Sequence, residues 1–79
     1  MPFWFSIWDG ENDDHVIQHG VSIDEFEEVV ADPDSSVVPG RFPGRFEVRG
    51  ETASGKRLVC VYDLLDHSTI YPVTAFEVG

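Results

Sequence analysis

The fold is decided by residues 45–64, which read RFEVRGETASGKRLVCVYDL. Polar and apolar side chains alternate from 45 to 49, a period that is typical of a strand with one buried face. Residues 50–55 begin and end with glycine and are otherwise mostly small and polar, so we expect a turn there. Residues 58–64 are almost wholly apolar, which is typical of a central strand covered on both faces. The stretch therefore predicts a β-hairpin within a sheet.

Two helices and a strand are predicted before this hairpin. Over residues 22–31, Ser22 can cap the first turn and Glu25, three residues later, completes a capping box. The apolar residues of this helix share one face: Ile23, Phe26, Val29 and Val30. A less amphipathic helix is expected over residues 11–19, and a strand over residues 3–8, where aromatic residues precede an Asp-Gly turn.

The remaining segments are predicted to be a loop and a last strand. Residues 32–44 hold three prolines and two glycines, a spacing that a helix cannot pass through, so we expect a loop. Residues 69–78 are predicted to be a strand in which Pro72 marks an edge, a strand start or a bulge. The order is β-α-α-β-β-β, which predicts an α+β single domain over residues 1–79. Its helices should pack on one face of a largely antiparallel four-stranded sheet.

Charge is distributed unevenly along this acidic protein. Fifteen acidic residues against five basic ones give a formal net charge of -10, which argues against generic polyanion binding. All five cations lie between positions 41 and 57: Arg41, Arg45, Arg49, Lys56 and Arg57. The sequence therefore predicts one cationic strip on an otherwise acidic molecule.

Membrane insertion and metal binding are not expected. No stretch approaches the roughly 18 consecutive apolar residues of a membrane span, and the first residues lack the cationic start of a signal peptide, so we expect a cytoplasmic protein. Cys60 is the only cysteine, which excludes an internal disulfide and a multi-thiolate zinc site. His15 and His19 have metal-site spacing, but Val16 stands where a catalytic zinc helix carries Glu. We predict no metal and no cofactor.

Several short motifs occur in an order that resembles one family. His-Gly-Val-Ser at 19–22 is followed by Glu25, Glu28 and Asp-Pro at 32–33, with Trp8 upstream. Residues 49–59 then form a strand-turn-strand pattern, and Pro-Val-Thr-Ala follows at 72–75. This order resembles the BrnT-like toxins of type II toxin-antitoxin systems. The resemblance implies a RelE-like fold, an RNA-cleaving activity and neutralisation by a cognate antitoxin protein.

The sequence departs from the BrnT-like pattern at its C-terminal end and in its charge. Members of the family usually continue into a basic tail, whereas this sequence has no cation after Arg57, so the resemblance is to a form with a shortened C-terminus. RNA-cutting toxins are also commonly basic, because phosphate contacts are largely electrostatic. The resemblance therefore leaves open a relative that does not cleave RNA.

Candidate site residues follow from the chemistry of metal-independent RNA cleavage. That reaction needs a base, an acid and cationic groups that stabilise the phosphorane-like charge. Histidine can exchange protons near neutrality, and residues 45 and 49 project from one face of a strand about 13 Å apart. We predict catalytic roles for His19, Arg45 and Arg49, and RNA contacts for Arg41, Lys56 and Arg57. In the competing interpretation, His19 interacts with a helix dipole and the arginines pair with carboxylates.

Two hypotheses of different classes follow. The first is a BrnT-like ribonuclease toxin that binds RNA along residues 41–57 and is neutralised by an antitoxin covering them. The second is a non-catalytic protein-interaction module of the same fold, which docks a partner through a sheet edge or the cationic strip. A homodimer through an edge strand is compatible with both.

Overall fold

The computed structural model describes residues 5–78 and shows an α+β fold. In chain order the elements are β1 (Phe5–Ser6), α1 (Asn12–Gln18), α2 (Ile23–Ala31), β2 (Ser36–Pro39), β3 (Arg45–Glu51), β4 (Arg57–Asp66) and β5 (Thr69–Val78). The strands form one sheet in the order β1-β5-β4-β3-β2. β1 pairs with β5 in parallel, and the other neighbours are antiparallel. The predicted fold class is confirmed, with five strands in the sheet instead of four.

The additional strand, β2, corrects the prediction of a loop over residues 32–44. β2 pairs with β3 from Ser36 opposite Arg49 to Pro39 opposite Phe46. Pro39 is tolerated because it is the last residue of an edge strand, where its missing N–H breaks no ladder. All four residues of β2 are exposed, so no alternation of apolar and polar residues marked it in the sequence.

Within the described residues, the N-terminal strand is also shorter than predicted. Of the predicted range 3–8, residues 3 and 4 lie outside the described part of the chain, and the strand β1 comprises Phe5 and Ser6. Ser6 lies opposite Ile70 of β5, and the N–H of Ile7 donates to the carbonyl of Ile70 at 3.0 Å. The short parallel pairing therefore places β1 at the edge of the sheet beside β5.

Helix α2 begins as the sequence predicts. The Glu25 N–H donates to Ser22 Oγ at 3.1 Å, and the Ser22 N–H donates to Glu25 Oε1 at 3.0 Å. These reciprocal bonds satisfy amide groups that the first turn leaves unpaired. The helix buries Phe26, Val29 and Val30 against the sheet.

Helix α1 is anchored by a buried polar residue. Asn12 Nδ2 donates to the carbonyl of Ile7 at 2.8 Å and to the carbonyl of Pro72 at 3.0 Å. Pro72 lies beside a register shift in the pairing of β4 with β5, which agrees with the bulge among the predicted alternatives. The asparagine side chain thus compensates for the irregular ladder and fixes α1 on β5.

The helices cover one face of the sheet and leave the other uncovered. The core between them contains Val16, Val21, Phe26, Val29, Val30, Val48, Leu58, Cys60, Tyr62, Ile70 and Ala75. Because side chains alternate along a strand, their neighbours on the three longest strands point away from the helices. We call this surface the open face, formed by Arg45, Glu47, Arg49 and Glu51 of β3, Arg57, Val59, Val61 and Asp63 of β4, and Tyr71, Thr74, Phe76 and Val78 of β5.

Candidate functional site

The open face brings together three of the predicted site residues. Arg45, Arg49 and Arg57 lie opposite Asp63, Val59 and Glu51 respectively in the pairing of β3 with β4. The Arg49 side chain is 63% exposed, and its Nη2 lies 3.5 Å from Glu47 Oε1. An exposed pair of this length is weak, because water screens both charges. The guanidinium of Arg49 is therefore available to a ligand.

Arg57 and Arg41 are the least constrained cations of the described chain. Both are exposed, and neither forms an ion pair with any of residues 5–78. Arg57 begins β4 on the open face, whereas Arg41 lies in the turn between β2 and β3. Their charges are available to an anionic group at opposite ends of β3.

Arg45 is held in a bidentate ion pair. Its Nε donates to Asp63 Oδ1 at 2.7 Å and its Nη2 donates to Asp63 Oδ2 at 3.0 Å. The guanidinium carbon also lies 5.3 Å from the centre of the Phe42 ring, within the range of a cation-π contact. The hydrogen bonds from Arg45 lower the pKa of Asp63, and the same contact raises the pKa of Arg45. Arg45 is therefore fixed in position and largely neutralised.

Lys56 and His19 belong to the other side of the sheet. Lys56 Nζ donates to the carbonyl of Gly20 at 3.0 Å and to Glu25 Oε1 at 3.1 Å. His19 is the exposed C-terminal cap of α1. The structure thus does not bring His19 together with Arg45 and Arg49, and Lys56 lies apart from the other cations. The catalytic role of His19 and the RNA contact of Lys56 stay predictions.

Glu47 is a candidate functional residue that the sequence analysis passed over. It lies between Arg45 and Arg49 on the open face, and its side chain is 34% exposed. A carboxylate beside guanidinium groups can accept a hydroxyl proton while the cations stabilise negative charge on a phosphate. The signal is present in the alternation of residues 45–49, which places residue 47 on the same face as the two arginines.

A groove of about 720 Å³ lies where β3 and β4 join, at one end of the open face. Its apolar lining comes from Leu58, Val59, Phe76 and Val78. Its charged lining comes from Arg49, Glu51 and Arg57 of the sheet, and from Asp32 and Asp34 before β2. We call this surface the hairpin groove. The sequence does not indicate this groove, because the pairing of β2 with β3 is what brings residues 32–35 beside β3.

The geometry gives little support to metal binding or to nucleophilic catalysis by Cys60. Within residues 5–78, no three His, Cys, Asp or Glu side chains converge as a metal ion would require. Burial raises the pKa of Cys60 to about 12, so its thiol is protonated at neutral pH and unsuited to nucleophilic attack. Neither helix in this range is long and apolar enough to cross a membrane.

Comparison with known proteins gives a match at the level of backbone structure. No protein-family model matches the sequence, and no curated protein sequence does. The structure is similar to the crystal structure of the Brucella abortus ribonuclease toxin BrnT, with a TM-score of 0.73 and 15% identity. The likeness covers 95% of this chain and 96% of the BrnT chain. This chain has the BrnT fold. The similarity confirms the BrnT-like fold that the order of motifs implied. At 15% identity it shows the backbone fold and not the roles of the side chains on the open face.

Proposed function

We propose that this protein is a toxin-type ribonuclease that cleaves RNA without a metal ion and is neutralised by a cognate antitoxin protein. The observation that carries the proposal is the similarity of its backbone, over 95% of the chain, to that of a ribonuclease toxin. The open face supports it, because Arg49 and Arg57 leave their guanidinium groups accessible on a face of the sheet that no helix covers.

The proposed reaction takes place along β3. Glu47 accepts the proton of a ribose 2′-hydroxyl, and the resulting oxygen nucleophile attacks the adjacent phosphorus. Arg49 stabilises the charge that develops on the phosphate oxygens, and Arg45, oriented by Asp63, borders the same site. Arg41 and Arg57 contact phosphates on either side. The bond to the 5′-oxygen breaks and that oxygen takes a proton from water, which leaves a 2′,3′-cyclic phosphate and a free 5′-hydroxyl; Glu47 returns its proton to the hydroxide that remains.

The test is cleavage of a labelled RNA by the purified protein in EDTA and low salt. We expect cleavage by the wild type, and a loss of about 100-fold or more in Glu47→Gln and Arg49→Ala, as is typical when a general base or a charge-stabilising group is removed. Glu77→Gln is the matched control, since Glu77 lies on β5 outside the open face. His19→Ala tests the role predicted from the sequence. Intact RNA in the wild-type reaction would overturn the proposal.

The second candidate is a non-catalytic protein-interaction module of the same fold. Two observations favour it: the bidentate pairing of Arg45 with Asp63, and the net charge of -10, which opposes contact with RNA. This function predicts that RNA binding is undetectable even at low salt and that expression in cells does not arrest growth. Growth arrest that Glu47→Gln abolishes would exclude the module.

A further inference from the structure

The hairpin groove has an apolar surface that the fold itself does not use. Arg49, Val59 and Phe76 are direct neighbours across β3, β4 and β5 on the open face. Val59 is buried, with 3% of its surface exposed, and so contributes little to the surface of the groove. Phe76 and Val78 are 40% and 41% exposed. The groove therefore offers apolar area that an occupant would remove from water.

The charges of the groove are divided between its two sides. Arg49 and Arg57 extend from the sheet, whereas Asp32 and Asp34 lie on the segment between α2 and β2. Neither aspartate forms an ion pair within residues 5–78. With Glu51, carboxylates outnumber guanidinium groups in the lining. A ligand with a positive charge next to an apolar group matches this arrangement.

We propose that the hairpin groove binds a short segment of a partner protein that carries a Lys or Arg beside an aromatic or large aliphatic residue. The apolar side chain packs on Phe76 and Val78, and the cation lies against Asp32 and Asp34. The groove volume of about 720 Å³ accommodates a few side chains and falls within the range of sites that enclose small ligands.

This inference goes beyond RNA cleavage and does not depend on it. A second copy of the chain is a poor occupant, because it also carries a net charge of -10 and two such molecules repel each other. An occupied groove would also cover Arg49, so partner binding and access of RNA to Arg49 would exclude each other.

The test uses the full chain, ¹⁵N-labelled, titrated with synthetic peptides and followed by amide chemical shifts. The probe is acetyl-Trp-Gly-Lys-amide, and its matched control is acetyl-Trp-Gly-Glu-amide. We expect the lysine peptide to shift the amides of Arg49, Glu51, Val59, Phe76 and Val78, and to bind about tenfold more tightly than the glutamate peptide, a difference of about 1.4 kcal/mol.

Two variants test the charged contact and the apolar contact separately. Asp34→Lys should remove the preference for the lysine peptide, and Phe76→Ser should weaken binding of both peptides by about tenfold. Phe42→Ser is the control, since Phe42 is 57% exposed and lies outside the groove lining. The spectrum of each variant, recorded before peptide is added, shows whether that variant is folded. Equal binding of the two peptides by the wild type, or shifts confined to other surfaces, would overturn the proposal. Shifts of the same amides by oligouridylate but by neither peptide would overturn it in favour of RNA.

Discussion

Asp63 fixes the orientation of Arg45 on the open face through two hydrogen bonds. Both side chains are about one third exposed, at 29% for Arg45 and 36% for Asp63, so water screens part of their attraction. The pair therefore contributes modestly to stability, and its larger effect is to set where a guanidinium stands beside Glu47.

The first prediction concerns the pH dependence of this pair. Asp63→Asn should lower the free energy of unfolding by about 0.2 to 1 kcal/mol at pH 7, the range for solvent-accessible ion pairs. The pKa of Asp63 in the folded protein lies below its ordinary value of 3.8, so the ionised carboxylate stabilises the fold above that pH. This contribution is lost as the pH falls through the lower folded-state pKa, and the difference between wild type and variant should shrink in acid.

Urea unfolding at pH 7 and at about pH 3 measures both effects. Asp34→Asn is the matched control, because Asp34 is exposed and has no cation partner within residues 5–78. A loss of stability that is as large in acid as at pH 7 would contradict the role assigned to the ion pair.

For single residues, the alternation of side chains along a strand explains when the sequence could predict the face of the sheet on which a site residue lies. It correctly put Arg45 and Arg49 on one face, and the pairing of the hairpin adds Arg57 to that face. Alternation does not apply to Lys56, which precedes β4 in the turn. Its ammonium group instead reaches Gly20 and Glu25 across 36 and 31 positions of sequence.

At the level of elements, the connection between α2 and β2 packs closely on β3. Gly50 lies on the side of β3 that faces the helices, and a Cβ at this position would overlap Ser35 Oγ and lie 3.1 Å from Val29 Cγ1. Ser35 is itself held by a 2.7 Å hydrogen bond from its Oγ to the carbonyl of Val29. The glycine thus permits the close approach that also shapes the hairpin groove.

The second prediction follows from this contact. Gly50→Ala should destabilise the protein by about 1 to 3 kcal/mol, because the added methyl group overpacks the contact and displaces Ser35. Gly10→Ala is the matched control, since a Cβ there meets nothing within 4 Å. Thermal unfolding of the two variants measures the difference. Equal stability of both would contradict the packing described, and recovery in Gly50→Ala combined with Ser35→Gly would support it.

For the whole molecule, charge is the dominant feature. A net charge of -10 is carried by a molecule whose described residues extend over 30 × 28 × 23 Å. At 0.1 M salt these dimensions are only a few times the Debye length of about 10 Å, which falls to about 3 Å at 1 M. Carboxylates across the surface therefore repel one another at low salt, and this repulsion destabilises the compact state.

The third prediction is that salt stabilises the protein. The Tm should rise between about 0.1 M and about 1 M NaCl, because screening reduces the repulsion among carboxylates. A variant with Asp34→Lys and Glu77→Lys, which is less negative, should show a smaller rise. Calorimetry of both proteins at matched salt concentrations provides the measurement. An identical rise in the two would show that salt acts through a route other than net charge.

The sequence by itself determined the helix α2, the hairpin of β3 and β4, the last strand and the α+β class. These depend on local signals: a capping box, side-chain periodicity and turn residues. Tertiary structure alone decided that residues 36–39 form a strand, that His19 and Lys56 lie apart from the open-face arginines, and that Asp32 and Asp34 border a groove. The physical reason is that strand pairing and helix packing bring together residues that are distant in sequence. The side-chain pattern of one segment does not indicate which other segment it will pair with.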